Sequence, residues 1–162
     1  MTFVIKNQLI GWQPIATTDT TQNHTLGTIV VAEDSTYLGG EFIYLKGVAN
    51  TVLGSWVTYN MDDGSTTLLA ANAIGPVAIA MSANVASQYG WYQIQGKAVG
   101  KALTAFADDG NVYATSTAGS VDDAIVAGDR VKNAKGASAV NETTLLADFE
   151  IERPWMDDGL SA

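Results

Sequence analysis

Leu145-Leu146-Ala147-Asp148-Phe149-Glu150-Ile151-Glu152 is the most regular stretch of the chain. Leu145, Ala147, Phe149 and Ile151 project to one side, and Leu146, Asp148, Glu150 and Glu152 to the other. Strict alternation of this kind marks a strand with one covered face and one wet face. Arg153-Pro154 follows and is expected to end it, because proline lacks the amide that a ladder needs.

Upstream the same signal recurs in short pieces. Thr28 to Ala32 is apolar, and Gly39-Gly40 is read as a break after it. Glu41 to Leu45 ends at Lys46-Gly47, and Ser55 to Tyr59 follows Gly54. Val77 to Met81 follows Gly75-Pro76, and Trp91 to Gln95 lies between Gly90 and Gly96. Asn111 to Thr115, Val121 to Val126 and Asp129 to Val131 complete the series. Turns at intervals of about 8 to 12 residues between short strands predict an all-β domain over residues 28–156. It is expected to be a small barrel or sandwich of short antiparallel strands.

The flanks read differently. Residues 1–27 contain Trp12-Gln13-Pro14 and the polar run Thr17 to Asn23, without an amphipathic period. They are expected to be an extended arm or irregular lead-in, an edge strand with a long loop being the alternative. Residues 157–162 are read as a short tail. Removal of residues 2–22 is expected to leave the fold intact. Within the domain, residues 40–49 resemble residues 90–98, each a glycine, an aromatic strand and a second glycine. Two similar hairpin units in one barrel would explain the likeness, and chance in a Gly- and Ala-rich chain explains it as well.

Composition narrows the function. The 162 residues include 23 Ala, 17 Thr, 16 Gly and 14 Val, which suit pleated sheets and tight turns. There is no cysteine, which removes disulfides, thiolate metal sites and cysteine nucleophiles. The one histidine, His24, lies in Gln22-Asn23-His24-Thr25 and is read as a loop residue with ordinary hydrogen bonds. No G-x-S-x-G, P-loop, dinucleotide fingerprint or zinc spacing occurs. Charged residues are only 15% and the net charge is −9, the wrong sign for tracking phosphates. Neither a catalytic residue nor a cofactor or metal is expected.

The acidic motifs read as turns. Asp62-Asp63-Gly64, Asp108-Asp109-Gly110 and Asp157-Asp158-Gly159 lack the alternating ligands and closing glutamate of a calcium loop. They fit hairpin turns, with glycosidase-type carboxylate pairs as the alternative. Asp122-Asp123 and Asp129-Arg130 read as solvated strand ends. Ser65 to Gly96 carries no charge, yet Asn72, Gly75-Pro76, Asn84 and Gln88 interrupt it, so strands are expected there instead of a membrane helix. The start, Met-Thr-Phe-Val-Ile-Lys, shows no signal-peptide pattern, and synthesis in a cytoplasm without export is expected.

Gly40-Glu41-Phe42-Ile43-Tyr44-Leu45-Lys46-Gly47-Val48-Ala49 with Gly54-Ser55-Trp56-Val57-Thr58-Tyr59 resembles a known group. So do residues 75–84, Tyr89-Gly90-Trp91-Tyr92-Gln93-Ile94 and Ala127-Gly128-Asp129-Arg130-Val131. These strings are similar to the small structural proteins encoded beside the major capsid gene of tailed bacteriophages, among them capsid cement or decoration proteins. The likeness spans most of residues 24–158 and lies in texture and short strings, so no binding residue is carried over. It implies a β-rich virion protein on the capsid exterior, made in the host cytoplasm. Its partners would be the major capsid protein and further copies of itself, as a dimer or trimer, with no direct nucleic acid or membrane contact.

A surface of small uncharged residues suits packing against other proteins, and an arm could add a strand to a neighbour. Aromatic and apolar residues are the candidate capsid or oligomer contacts, Trp12, Ile15, Trp56, Trp91, Tyr92 and Trp155, although clustered Trp and Tyr fit a β-barrel core equally. Other readings are a head-fibre base, a tail subunit, or a carbohydrate-binding module that stacks sugars on exposed Trp56, Trp91 and Tyr92.

Overall fold

The computed structural model describes residues 2–5 and 11–157. Lys6 and, at the other end, Asp158-Gly159 with the rest of the tail lie outside the described residues. Among the described residues there are twelve strands: β1 (Val4–Ile5), β2 (Thr18–Asp19), β3 (Ile29–Asp34), β4 (Leu38–Lys46), β5 (Trp56–Tyr59) and β6 (Thr66–Leu68). β7 (Val77–Ala80), β8 (Tyr89–Lys101), β9 (Asn111–Ala114), β10 (Val121–Asp122), β11 (Arg130–Gly136) and β12 (Leu146–Met156) follow. The described residues contain no helix. The chain is all-β, as expected.

All twelve strands join one antiparallel sheet that is not closed. Its main path runs β1-β3-β4-β8-β12-β11-β9-β10, with β7, β5 and β6 branching from β8. Such an open, folded-over sheet is compatible with a sandwich.

β8 organises the fold. Tyr89 to Gln95 pair with β4 on one edge. On the other edge β8 pairs first with β2, then with β7 through Gln93↔Ile79, then with β12 from Gln95 to Lys101. The two look-alike segments therefore lie side by side as antiparallel neighbours, Tyr44 opposite Trp91, and do not form separate hairpin units.

Three apolar clusters result. Ala147, Phe149 and Ile151 of β12 are buried, as their alternation predicts, against Trp56 and Phe106. Trp56 and Phe149 meet edge-to-face at 4.9 Å, a contact that adds about 1 kcal/mol beyond the area it covers. Phe3, Ile15, Phe42, Tyr44 and Trp91 form a second cluster. Ile43, Leu45, Val57, Tyr92 and Ile94 form a third on the opposite face of β4 and β8. Because both faces of the central strands are covered, Trp56 and Val57 are both buried and β5 does not alternate.

Four expected boundaries differ. Gly39-Gly40 lies inside β4, where a Cβ on Gly40 would stand 2.8 Å from the Gln95 carbonyl oxygen. Glycine here permits close strand approach rather than a break. Gly96, at φ +101°, also stays inside its strand, next to a register shift between β4 and β8. Arg153-Pro154 does not end β12: the strand continues to Met156 through a bulge, where proline forfeits no ladder bond. The strand expected over 121–126 stops at Asp122, and Ile125 is 83% exposed.

Residues 11–27, read as an arm or lead-in, lie against the sheet of the second cluster. Ile15 is buried in it, and Trp91 Nε1–H donates to the Gln13 carbonyl at 2.8 Å. Phe3 packs edge-to-face on Phe42 at 4.7 Å.

Candidate docking groove

The bulge in β12 shapes an apolar cleft. Lys132 pairs with Trp155 and Ala134 with Ile151, so Asn133 alone stands opposite Glu152, Arg153 and Pro154. Asn133 and Arg153 both take positive φ, 59° and 48°. Glu152 is the last residue of β12 paired to β8. Trp155 then bridges to Pro76, and the Met156 N–H donates to the Gly75 carbonyl at 2.9 Å. The sheet thus forks, with β7 entering where β12 leaves.

A groove of about 270 Å³ opens at the fork. Its floor is Ile43, Leu45 and Ile94, the outer edge of the third cluster. Its lips are Trp155, Met61 and Ile29, exposed by 46%, 72% and 43%. Arg153 closes one end and donates from Nη2 to Glu41 Oε2 at 2.6 Å. Tyr59 also lines the groove; burial pushes its phenol pKa up, partly offset by Arg153. Exposed apolar side chains over an apolar floor, with one ion pair at the end, suit the seating of apolar side chains from a partner.

Met61 is held out by the first acidic turn. The Asp62 N–H donates to Asn60 Oδ1 at 2.8 Å, and Gly64 N–H to the Asn60 carbonyl at 2.9 Å. Asp63 Oδ1 accepts the Ser65 N–H and hydroxyl at 2.9 and 2.7 Å. Those bonds hold the Asp63 carboxyl below the usual carboxylate range, the Ser65 hydroxyl contributing most. Asp108-Asp109-Gly110 is likewise a turn, with Asp109 at φ 57° and Gly110 N–H donating to the Ala107 carbonyl. Asp157 pairs with Lys132 at 3.1 Å. Asp123 accepts the Ala107 N–H at 3.0 Å. Asp129, expected in solvent, is buried and accepts the Asn72 N–H at 2.6 Å. Among the described residues, no three His, Asp or Glu side chains gather to hold a metal.

Of the six candidate contacts, Trp155 alone lies in the groove. Trp56, Trp91, Tyr92 and Ile15 are enclosed in the three clusters. Trp12 is half-buried beside His24 and Trp91, with ring centroids 4.8 and 5.9 Å away. No sugar-stacking platform of Trp56, Trp91 and Tyr92 is therefore presented; Tyr92 instead accepts Asn84 Nδ2–H at 3.1 Å inside the protein. Met61, Ile29 and Ile43 were not legible as site residues. The only sequence trace of the groove is Arg153-Pro154-Trp155 breaking a regular strand. Among the described residues, no helix is long and apolar enough to cross a membrane.

No family model matches the chain, and neither a curated protein nor a solved structure is matched by it.

Proposed function

We propose that this chain is a cement, or decoration, protein of a tailed-bacteriophage head. It binds the outer surface of the assembled shell, cross-bridges capsomers of the major capsid protein and stabilises the DNA-filled head. It acts by adhesion and not by catalysis. The observation that supports this reading best is the apolar groove lipped by Trp155, Met61 and Ile29, a surface suited to an apolar segment of a shell subunit. Tryptophan at the lip of a water-excluding pocket is the kind of residue that dominates binding energy.

The remaining chemistry fits. Net charge −9 keeps the protein off released nucleic acid. A dimer or trimer docked at several points multiplies modest contacts into firm attachment. The resemblance of residues 40–49, 75–84 and 89–94 to head structural proteins points the same way.

Densitometry of purified virions tests the reading. A 17.0 kDa band in simple ratio to the capsid subunit, at hundreds of copies, is the expected result. A few copies per particle would move the assignment to a fibre base or tail part, and none would overturn it. The groove is tested separately by adding purified protein to undecorated heads, where Trp155→Ala is expected to weaken binding at least about tenfold.

A further inference from the structure

The sole histidine closes a strap over the second cluster. The Gln13 N–H donates to His24 Nε2 at 3.0 Å. A backbone amide can only donate, so Nε2 is the bare nitrogen and the ring is neutral, with its proton on Nδ1. The half-buried imidazole is flanked by aromatic rings: Trp12 at 4.8 Å, Tyr44 at 4.9 Å and Trp91 at 5.5 Å. Gln13 is tied from every side. Its carbonyl accepts Trp91 Nε1–H at 2.8 Å, and Oε1 accepts the Tyr44 hydroxyl at 2.9 Å and Asn23 Nδ2–H at 3.0 Å. Its Nε2 donates to the carbonyls of Thr17 and Tyr89 at 2.9 and 3.0 Å.

We propose that His24 is a proton-operated latch: neutral, it holds the Trp12–Gln13 strap against Trp91; protonated, it releases Trp12 and uncovers that face of the sheet. On protonation two donors face each other at the position of the present 3.0 Å bond, and one must move. Gln13 is fixed by its other bonds, so the ring moves, and Trp12, tilted against that ring at 37°, loses its seat. Burial of the imidazole resists the charge until the pH falls below the ordinary histidine range. The ionisable groups around the network are Tyr44 on β4, Tyr89 on β8 and Asp19 on β2. Burial pushes the Tyr44 phenol pKa up, so it stays neutral at such pH. Asp19 is anionic, but its oxygens are occupied, Oδ1 by the Thr21 N–H and Oδ2 by Asn23 Nδ2. This inference is independent of the capsid reading.

The test is hydrogen exchange of the Gln13 amide, with NMR titration of His24, in the full chain from pH 8 to 5. Protection of Gln13 is expected to fall about fivefold to tenfold on acidification, the equivalent of one hydrogen bond. His24→Gln, which keeps an acceptor but cannot titrate, is expected to give a flat profile. Pulled-down protection in both proteins, unchanged protection in the native chain, or a His24 titration at or above the ordinary value would each overturn the latch. The native-chain titration decides the matter even if the variant fails to fold.

Discussion

Tyr44 and Trp91 stand directly opposite one another on β4 and β8, their rings edge-to-face with centroids 5.0 Å apart, and both reach the same residue, Gln13. One polar side chain and its backbone thus satisfy both aromatic donors inside the second cluster. Residues 11–17 are for that reason part of the folded body.

Gln13→Ala is expected to leave the Tyr44 hydroxyl and the Tyr89 carbonyl without this partner. Unpaired buried polar groups cost about 1–3 kcal/mol each. Urea denaturation should show a loss of at least about 2 kcal/mol. A change below half a kilocalorie would refute the hub.

Deletion of residues 2–22 removes Phe3 and Ile15 from the second cluster. Full burial of such side chains stabilises by about 1.5–3 kcal/mol apiece. The truncated chain should be less stable by about 4 kcal/mol or more, contrary to the expectation from sequence that the fold survives intact. Thermal melts of the two forms check it.

Gly39 and Gly40 separate cleanly by substitution. A Cβ on Gly39 meets nothing within 4 Å, whereas on Gly40 it meets the Gln95 carbonyl at 2.8 Å and Gln93 Nε2 at 2.9 Å. Gly40→Ala should destabilise by about 1–3 kcal/mol. Gly39→Ala should be neutral or stabilising by up to about 1 kcal/mol, by restricting the unfolded chain. Paired denaturation curves decide.

Stability should fall with acid in two stages. The folded His24 pKa is lowered by burial, so its contribution is complete above about pH 6.5 and is lost as the pH falls through the folded value. The carboxyls of Asp19, Asp34 and Asp63 are also held low, by the Thr21 amide, the Thr2 amide and the Ser65 hydroxyl first among their donors. Their contributions are present above about pH 3.8 and disappear below it. His24→Gln should abolish the first stage and leave the second.

Tryptophan fluorescence should divide by environment. Trp56 and Trp91 are enclosed and Trp155 is 46% exposed. Trp155→Phe should remove most of the acrylamide-quenchable emission with little change in melting temperature. Loss of the blue-shifted component instead would contradict the burial.

How far the sequence spoke can be followed along β12. The alternation of Ala147, Phe149 and Ile151 was legible because side-chain period and burial coincide on a one-sided strand. The bulge at Arg153 was not, since a local rule treats Arg-Pro as a stop while the partner strand absorbs it with Asn133 at positive φ. Trp56, Trp91 and Tyr92 were legible as anchors, with core, interface and sugar-facing placements left open. Composition says that aromatic rings will be anchors, and only the two-sided coverage of β5 and β8 makes them core. The groove escaped notice because Met61, Ile29 and Ile43 come from separate strands and turns.

The side-by-side placement of β4 and β8 also governs how the chain must assemble. Tyr44 finds Trp91 only after 46 residues of intervening chain have been gathered in, and Glu41 meets Arg153 across a separation of 112. Each closure sacrifices chain entropy before it returns any contact. Folding is therefore expected to be slow for a domain of this size, on the scale of milliseconds to seconds. Until β8 is seated, the apolar strands on both sides of it are open to neighbouring chains, so yield at high expression should track dilution and temperature more closely than it tracks equilibrium stability.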